Sequence, residues 1–290
     1  MKINPECVAC LIKRALYEAN LVDPDLASVA VAEATNILAR EYNPNDPDVS
    51  ARIASKMHAR VYEILSSEDP YAAIKDRSNK IAVGLLPHAR ELVEHAENPL
   101  WMASLVAVAG NVLDFGIRGA IAGPEDFEEV FDSIVDEGYG IDHTPEAFSL
   151  LGPGKKVAYL TDNCGEVVFD SIFWEILMDM GVDLTVVVKG KPILTDATLD
   201  DIEGLGLKDH ANRFFTTGTG VVGLERSLLP QETLDAMLDA DLIISKGMAN
   251  FEALSEEDFR PIIYLMRTKC QPIASHANAP LDANVAKLYR

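Results

Sequence analysis

Residues 157–177, VAYLTDNCGEVVFDSIFWEIL, decide how the rest of the chain is read. Val157 to Thr161 is a short apolar run that reads as a strand. It ends at Asp162-Asn163-Cys164-Gly165-Glu166, and then Val167, Phe169, Ile172, Phe173, Ile176 and Leu177 recur at helical spacing. The segment predicts a strand, a polar turn and a helix. In an open α/β sheet, ligands bind outside the carboxyl ends of the strands, and Asp162 and Asn163 fall at such an end. An Asp carboxylate beside an Asn carbonyl offers a hard cation two oxygen ligands. The competing local reading is a helix cap, since Asp and Asn are both favoured there.

The same grammar continues to the end of the chain. Apolar runs recur at Leu184–Val188, Arg213–Thr216, Leu242–Ile244 and Ile262–Leu265, with a short strand candidate at Pro272–Ala274. Helical patterns fall between them at Val167–Met180, Leu199–Leu205 and Gln231–Leu238. Continuous apolar strands alternating with helices predict a mostly parallel sheet covered on both faces.

Residues 1 to about 150 read differently, as helices joined by short polar turns. Pro5–Asn20, Leu26–Glu41, Pro47–Ser66 and Lys80–Ala96 each carry a helical apolar stripe, and Asp69-Pro70-Tyr71 starts a further helix. Pro99–Val112 is nearly all apolar and predicts a buried helix. At its end Asn111 and Asp114 stand three apart, on one helix face, so they are either paired, turned to solvent or facing a wet site. A helix at Glu125–Glu137 follows, then a connector rich in Gly, Asp, His and Thr through Pro145. The expected organisation is a helical subdomain over residues 1–150 packed on a Rossmann-like α/β subdomain over residues 151–290.

Composition narrows the function. With 25 basic and 46 acidic side chains the net charge is −21. That excludes nucleic acid and anionic membrane as general partners, because phosphate backbones require Lys and Arg stripes. A small phosphorylated ligand stays open, since a metal and a few local cations hold it. Met1-Lys2-Ile3-Asn4-Pro5-Glu6 shows no leader-like apolar run, and no stretch approaches the length of a membrane span, so the expected location is the cytoplasm. Four cysteines do not make a disulfide scaffold. Cys7 and Cys10 form a C-x-x-C pair on a helix, where a structural role is favoured over metal or redox chemistry.

The residues just after each strand are more informative. Asp162-Asn163 comes after the first strand, Lys189-Gly190-Lys191-Pro192 through Thr195-Asp196-Ala197-Thr198 after the second, and Ser245-Lys246-Gly247-Met248-Ala249-Asn250 after the fourth. In a parallel sheet these turns share one edge, so Asp162, Asn163, Asp196, Lys246 and Asn250 converge there. Two carboxylates and an amide carbonyl suit Mg²⁺ or Mn²⁺, and Lys246 with a Gly turn opening a helix suits a phosphate. Singly, each has a plainer reading: Asp196-Ala197-Thr198 caps the next helix, and Lys246-Gly247 is an ordinary strand-to-helix turn. Asp239-Ala240-Asp241 mimics an aspartyl-phosphate motif but precedes its strand, at the opposite edge. The six histidines show no ligand spacing.

Gly110-Asn111-x-x-Asp114-Phe115-Gly116, Asp162-Asn163-Cys164-Gly165-Glu166, the Lys189–Thr198 block and Ser245–Glu252 together resemble the DUF89 family, also called the damage-control phosphatase or ARMT1-like family. The resemblance spans essentially the whole chain, including the C-x-x-C pair of the compact archaeal-type branch. It implies a helical subdomain on a Rossmann-like one, and a divalent-metal-dependent phosphatase (Mn²⁺, Mg²⁺, Co²⁺ or Ni²⁺) acting on small phosphometabolites such as sugar phosphates or phosphopantetheine-type compounds. Carried over by position, Asp162, Asn163 and Asp196 would hold the metal. Lys246, Gly247 and Asn250 would bind phosphate, Asn111 and Asp114 would reach the same cleft, and Glu166 would border it. Many relatives have Asn where this chain has Thr195.

The expected chemistry is metal-activated water attacking a phosphomonoester, with Asp114 or Glu166 accepting a proton and Lys246 offsetting phosphoryl charge. Asp162 is the nucleophile if the route is covalent. The expected partner is a small phosphorylated metabolite, and the expected assembly a monomer or small homo-oligomer. Two alternatives are an S-adenosylmethionine-dependent carboxyl methyltransferase and a non-catalytic metabolite or metal sensor. Gly165 alone in the first turn makes the former weak.

Overall fold

The structure, a computed structural model, describes residues 1–113 and 124–290, with the side chains of 112, 113 and 124–129 left aside. Three helices come first, α1 (Pro5–Val22), α2 (Ala27–Glu41) and α3 (Ser50–Leu65), followed by α4 (Ala72–Glu94), α5 (Pro99–Ala109) and α6 (Pro124–Asp136). Next come β1 (Tyr139–Asp142), α7 (Thr144–Phe148), β2 (Lys156–Leu160), α8 (Glu166–Asp179), β3 (Asp183–Val188), α9 (Leu199–Gly204) and β4 (Arg213–Thr216). The chain closes with α10 (Gln231–Leu238), β5 (Leu242–Lys246), α11 (Gly247–Leu254), β6 (Ile262–Arg267), α12 (Gln271–Ala277) and β7 (Asn284–Tyr289).

The seven strands form one sheet in the order β1-β7-β6-β5-β2-β3-β4. The five from β6 to β4 are mutually parallel, and β7 runs antiparallel to β6. The strand order reverses between β2 and β5, which are adjacent. That is the topological switch point of a Rossmann-like sheet, where the strand ends open a crevice.

Both faces of the central strands are apolar, which explains their unbroken hydrophobic runs. Val157 and Tyr159 of β2 point into a cluster with α4, α5 and α8. Ala158 and Leu160 point into another with Met237 of α10, Phe251 of α11 and Ile273 of α12. Phe173 of α8 is fully buried, with the rings of Tyr159 and Phe148 at 6.0 and 5.7 Å. A third cluster belongs to α1–α3 and takes in Ile193 and Val222 from loops beyond β3 and β4. This bundle therefore sits over the carboxyl edge of the sheet.

Some expectations are corrected. The connector before Pro145 contains a strand, β1, paired with β7, and neither was legible. Pro272–Ala274 lies in helix α12, which Pro272 helps to start from its first turn. The expected helices around Ile74 and Lys80–Ala96 are one helix, α4, despite Pro87. The division at 150 is not where the hydrophobic core divides: α4 and α5 share a cluster with α8 and the sheet, and β1 joins the sheet. The group that stands apart is α1–α3.

Replacing Phe173 with Ala is expected to cost about 3–5 kcal/mol in urea unfolding. Leu238→Ala, at a position 55% exposed, should stay within about 0.5 kcal/mol of the parent. A Phe173→Ala loss below about 1 kcal/mol would contradict the packing described.

Candidate metal and phosphate site

The loops after β2 and β3 are stitched together by backbone. Ala197 N donates to Asp162 O at 2.8 Å and Cys164 N to Thr195 O at 2.8 Å, and Asn163 bridges Asp196. Leu194, in the left-handed region at φ 49°, is held by the Tyr62 hydroxyl, which accepts its N–H at 3.0 Å. These bonds bring Asp162, Asn163 and Asp196 to one place although 34 positions separate the first from the last.

The capping alternative falls away for Asp162, Asn163 and Asp196, and holds for Thr198. Gly165 is the N-cap of α8, with no side-chain cap, and its N–H goes to Asn79 Oδ1 at 2.6 Å. Helix α9 is capped by Thr198 with Asp201 in a capping box. Neither Asp162, Asn163 nor Asp196 is needed for a helix end.

Asp162, Asn163, Thr195 and Asp196 are each less than 8% exposed, and all line one cavity of about 270 Å³. Asn111, on the turn after α5, lines it too. Its Nδ2 donates to Asp162 Oδ2 at 3.0 Å and Glu166 Oε2 at 2.7 Å. Asn163 Nδ2 donates to the same two oxygens at 2.8 and 3.0 Å. Thr195 Oγ1 donates to Asn163 Oδ1 at 2.6 Å, which leaves that carbonyl oxygen a second lone pair. Lys189 Nζ lies 3.2 Å from Asp196 Oδ2.

Among the described residues no three His, Cys, Asp or Glu side chains stand together where they could hold one ion. The expected set has two carboxylates and an amide. Its hard oxygen donors, converging on one cavity wall, fit Mg²⁺ or Mn²⁺.

Beneath this wall is a charged cluster. Lys246, the last residue of β5, is fully buried. Its Nζ donates to Glu166 Oε1 at 2.7 Å, Asp170 Oδ1 at 2.6 Å and Ala107 O at 3.0 Å. Tyr159 also donates to Asp170 Oδ1, at 2.7 Å. Burial pulls the Lys246 ammonium down, but Asp170 and Glu166 outweigh it and its pKa lies above the ordinary lysine value. Burial pushes the Asp170 carboxyl up to about 6, against the pull of Lys246.

The sequence places Lys246 on the phosphate; the structure gives all three of its donors to interior acceptors. Glu166, also fully buried, is engaged by Lys246 and two amides, so it supports the wall instead of taking a proton at the cavity. Gly247 has φ 77°, and a Cβ there would lie 1.9 Å from Asp162 Oδ2. The Asp162 carboxylate, not a phosphate, covers that turn, at the favourable end of α11 for an anion. Asn250 Nδ2 ties Thr161 O to Lys246 O at 3.0 and 2.8 Å, a joint between β2 and α11. Asp114 lies outside the described residues.

Other residues of the cavity were missed in the sequence. Lys269, just beyond β6, lines it and donates to Asn111 O. Arg14 and His58 of the α1–α3 bundle line it as well. Cys7, Cys10 and Cys270 do too; Cys10 is exposed, while Cys7 also packs against the α1–α3 core. The only local signal was spacing: Cys10, Arg14 and Glu18 recur every four residues on α1.

Known proteins resemble this chain along essentially its whole length. The model of the damage-control phosphatase ARMT1-like domain matches residues 3–285. A protein named damage-control phosphatase from Archaeoglobus fulgidus is 41% identical over 290 residues, covering 99% of each chain. Another of that name, PH1575 from Pyrococcus horikoshii, is 31% identical over 98% of this chain and 97% of its own length. The crystal structure of the DUF89 protein PH1575 from that organism superposes with a TM-score of 0.88 at 30% identity, covering both chains fully.

Lys246→Met would leave Glu166 and Asp170 buried without their cation. Such a loss typically costs about 3–5 kcal/mol, and chemical denaturation is expected to show it. A fully stable variant would mean that the lysine is not the charge anchor of this wall.

Proposed function

The chain belongs to the damage-control phosphatase ARMT1-like family, and on that premise we propose that it is a divalent-metal-dependent phosphatase of small phosphorylated metabolites. The observation that carries this reading is the backbone stitching that sets Asp162, Asn163 and Asp196 on one wall of a cavity at the sheet's switch point. These three residues hold the metal through two carboxylates and the Asn163 carbonyl. A divalent ion there supplies charge to the phosphoryl oxygens and lowers the pKa of a water.

The protein's own groups do the rest. Asn111 and Asn163 fix the Asp162 carboxylate by donating to one of its oxygens. With that oxygen so engaged, water is the nucleophile in our reading, and Asp162 a ligand. Lys246 holds Glu166 and Asp170 beneath the wall by donating to both. The phosphate's cation is Lys269, which lines the cavity where Lys246 does not. Substrates are esters small enough for the space under the α1–α3 bundle, with sugar phosphates and phosphopantetheine-type compounds the classes to try first.

Chelated protein should be inactive on p-nitrophenyl phosphate, and Mn²⁺, Mg²⁺, Co²⁺ or Ni²⁺ should restore turnover. Saturating Mn²⁺ should also raise the melting temperature, the stabilisation reaching about 2.7 kcal/mol at a hundredfold excess over Kd. Asp162→Ala and Asp196→Ala should lose both effects. Turnover that survives chelation sinks the metal role, and Mn²⁺ stabilisation undiminished in both variants misplaces the site.

A further inference from the structure

The α1–α3 bundle sets a buried Glu–His pair beside the same cavity, with the histidine lining it. Glu18 on α1 has no exposure and His58 on α3 is 2% exposed. His58 Nδ1 stands 2.7 Å from Glu18 Oε1 without making an aligned hydrogen bond to it. Tyr71, itself buried, donates its hydroxyl to the same carboxylate oxygen at 3.1 Å. The second oxygen of Glu18 has no partner among the described residues.

As a stabiliser this arrangement is poor. Burying two polar side chains between helices costs desolvation that an apolar pair of the same volume avoids, and an unpartnered carboxylate oxygen adds to the cost. His58 lines the cavity that carries Asp162 and Asp196. Its Nε2 has no hydrogen-bond partner among the described residues and is not sealed away from that space. The imidazole thus has one nitrogen against a buried carboxylate and the other open to whatever occupies the cavity.

Phosphomonoester hydrolysis needs a group of this kind. An alkyl ester leaves as a strongly basic alkoxide unless its oxygen receives a proton in the transition state. Lys246 and Glu166 are held by interior partners and do not reach the cavity. We propose that His58, held against Glu18 and lining the cavity, is the general acid that protonates the leaving oxygen, and that the substrates are accordingly alkyl phosphates. Water oxygen bonds to phosphorus, the ester P–O bond breaks, and the ester oxygen takes the Nε2 proton to leave as an alcohol. The proton given up by the water recharges the imidazole through solvent. Glu18 is a positioning residue that holds the His58 ring in place. The inference rests on the phosphatase reading above.

The test compares two esters of similar shape on the full-length, Mn²⁺-loaded protein. The nitrophenolate of p-nitrophenyl phosphate leaves without a proton; the alkoxide of benzyl phosphate does not. The parent should turn over both. His58→Gln should lose about 10²–10⁴-fold in kcat on benzyl phosphate and less than about tenfold on p-nitrophenyl phosphate, with Mn²⁺ stabilisation retained. Glu18→Gln should show a smaller loss with the same selectivity, and it carries the test if His58→Gln does not fold. Equal losses on both esters overturn the proposal, as does a parent that hydrolyses p-nitrophenyl phosphate but not benzyl phosphate. A parent inactive on both with every metal would instead sink the phosphatase reading itself.

Discussion

One buried ammonium organises this molecule. Lys246 ends β5 and reaches across the switch point to Glu166 and Asp170, both on α8, the helix that follows β2. The two strands that diverge in topology there are thereby joined through charge as well as through their ladder. An ion pair of this depth contributes little net stability compared with apolar packing. Its contribution is geometry. Glu166 is held by Lys246 on one oxygen, and its other oxygen orients the amides of Asn111 and Asn163. Those amides in turn orient Asp162. A charge hidden in the core therefore sets the position of a carboxylate at the cavity, through two layers of hydrogen bonds.

The central strands and the helices beside them were legible because each strand is buried on both faces and reads as an unbroken apolar run. β1 and β7 were not. β1 is four residues long, contains Gly140 and Asp142, and is half-exposed along its length. β7 carries Asn284 and Lys287 and pairs antiparallel to the strand before it. A short edge strand such as β1, and an interior strand with polar positions such as β7, look like loops, because their partners, not their sequence, make them strands. The triplet at Pro272–Ala274 misled in the opposite direction: three apolar residues are too few to show a period, and Pro in a first turn favours a helix.

At the candidate site, spacing identified the residues that sit on strand ends, since one edge of a parallel sheet collects them. It did not give their tasks. Lys246, Gly247 and Asn250 look like a phosphate turn, yet Asp162 and the interior carboxylates have already taken their donors and their space. A positive charge beside a glycine turn reads the same in sequence whether it faces a ligand or a buried acid. The deciding facts, Glu166 and Asp170 one turn apart on the inward side of α8, involve partners about 80 residues away. His58 and Arg14 were invisible for the reverse reason. They lie on helices whose stripes are explained by their own packing, and only the docking of α1–α3 over the sheet edge brings them to the cavity.

The two walls of the cavity differ in how they are held, and the difference bears on how such a site diversifies. The sheet wall is fixed by backbone bonds between the β2 and β3 loops and by the amide-carboxylate network above Lys246. Changing any member disturbs several others, so this wall is hard to alter piecemeal. The opposite wall is made of single side chains projecting from α1 and α3, with a hydrophobic cluster of their own behind them. Residues such as Arg14 and Cys10 can be exchanged there without touching the sheet. On the proposed phosphatase reading, the same oxygen donors would serve different phosphate esters beneath different helical roofs, with the leaving group, not the phosphoryl group, as the part the roof distinguishes.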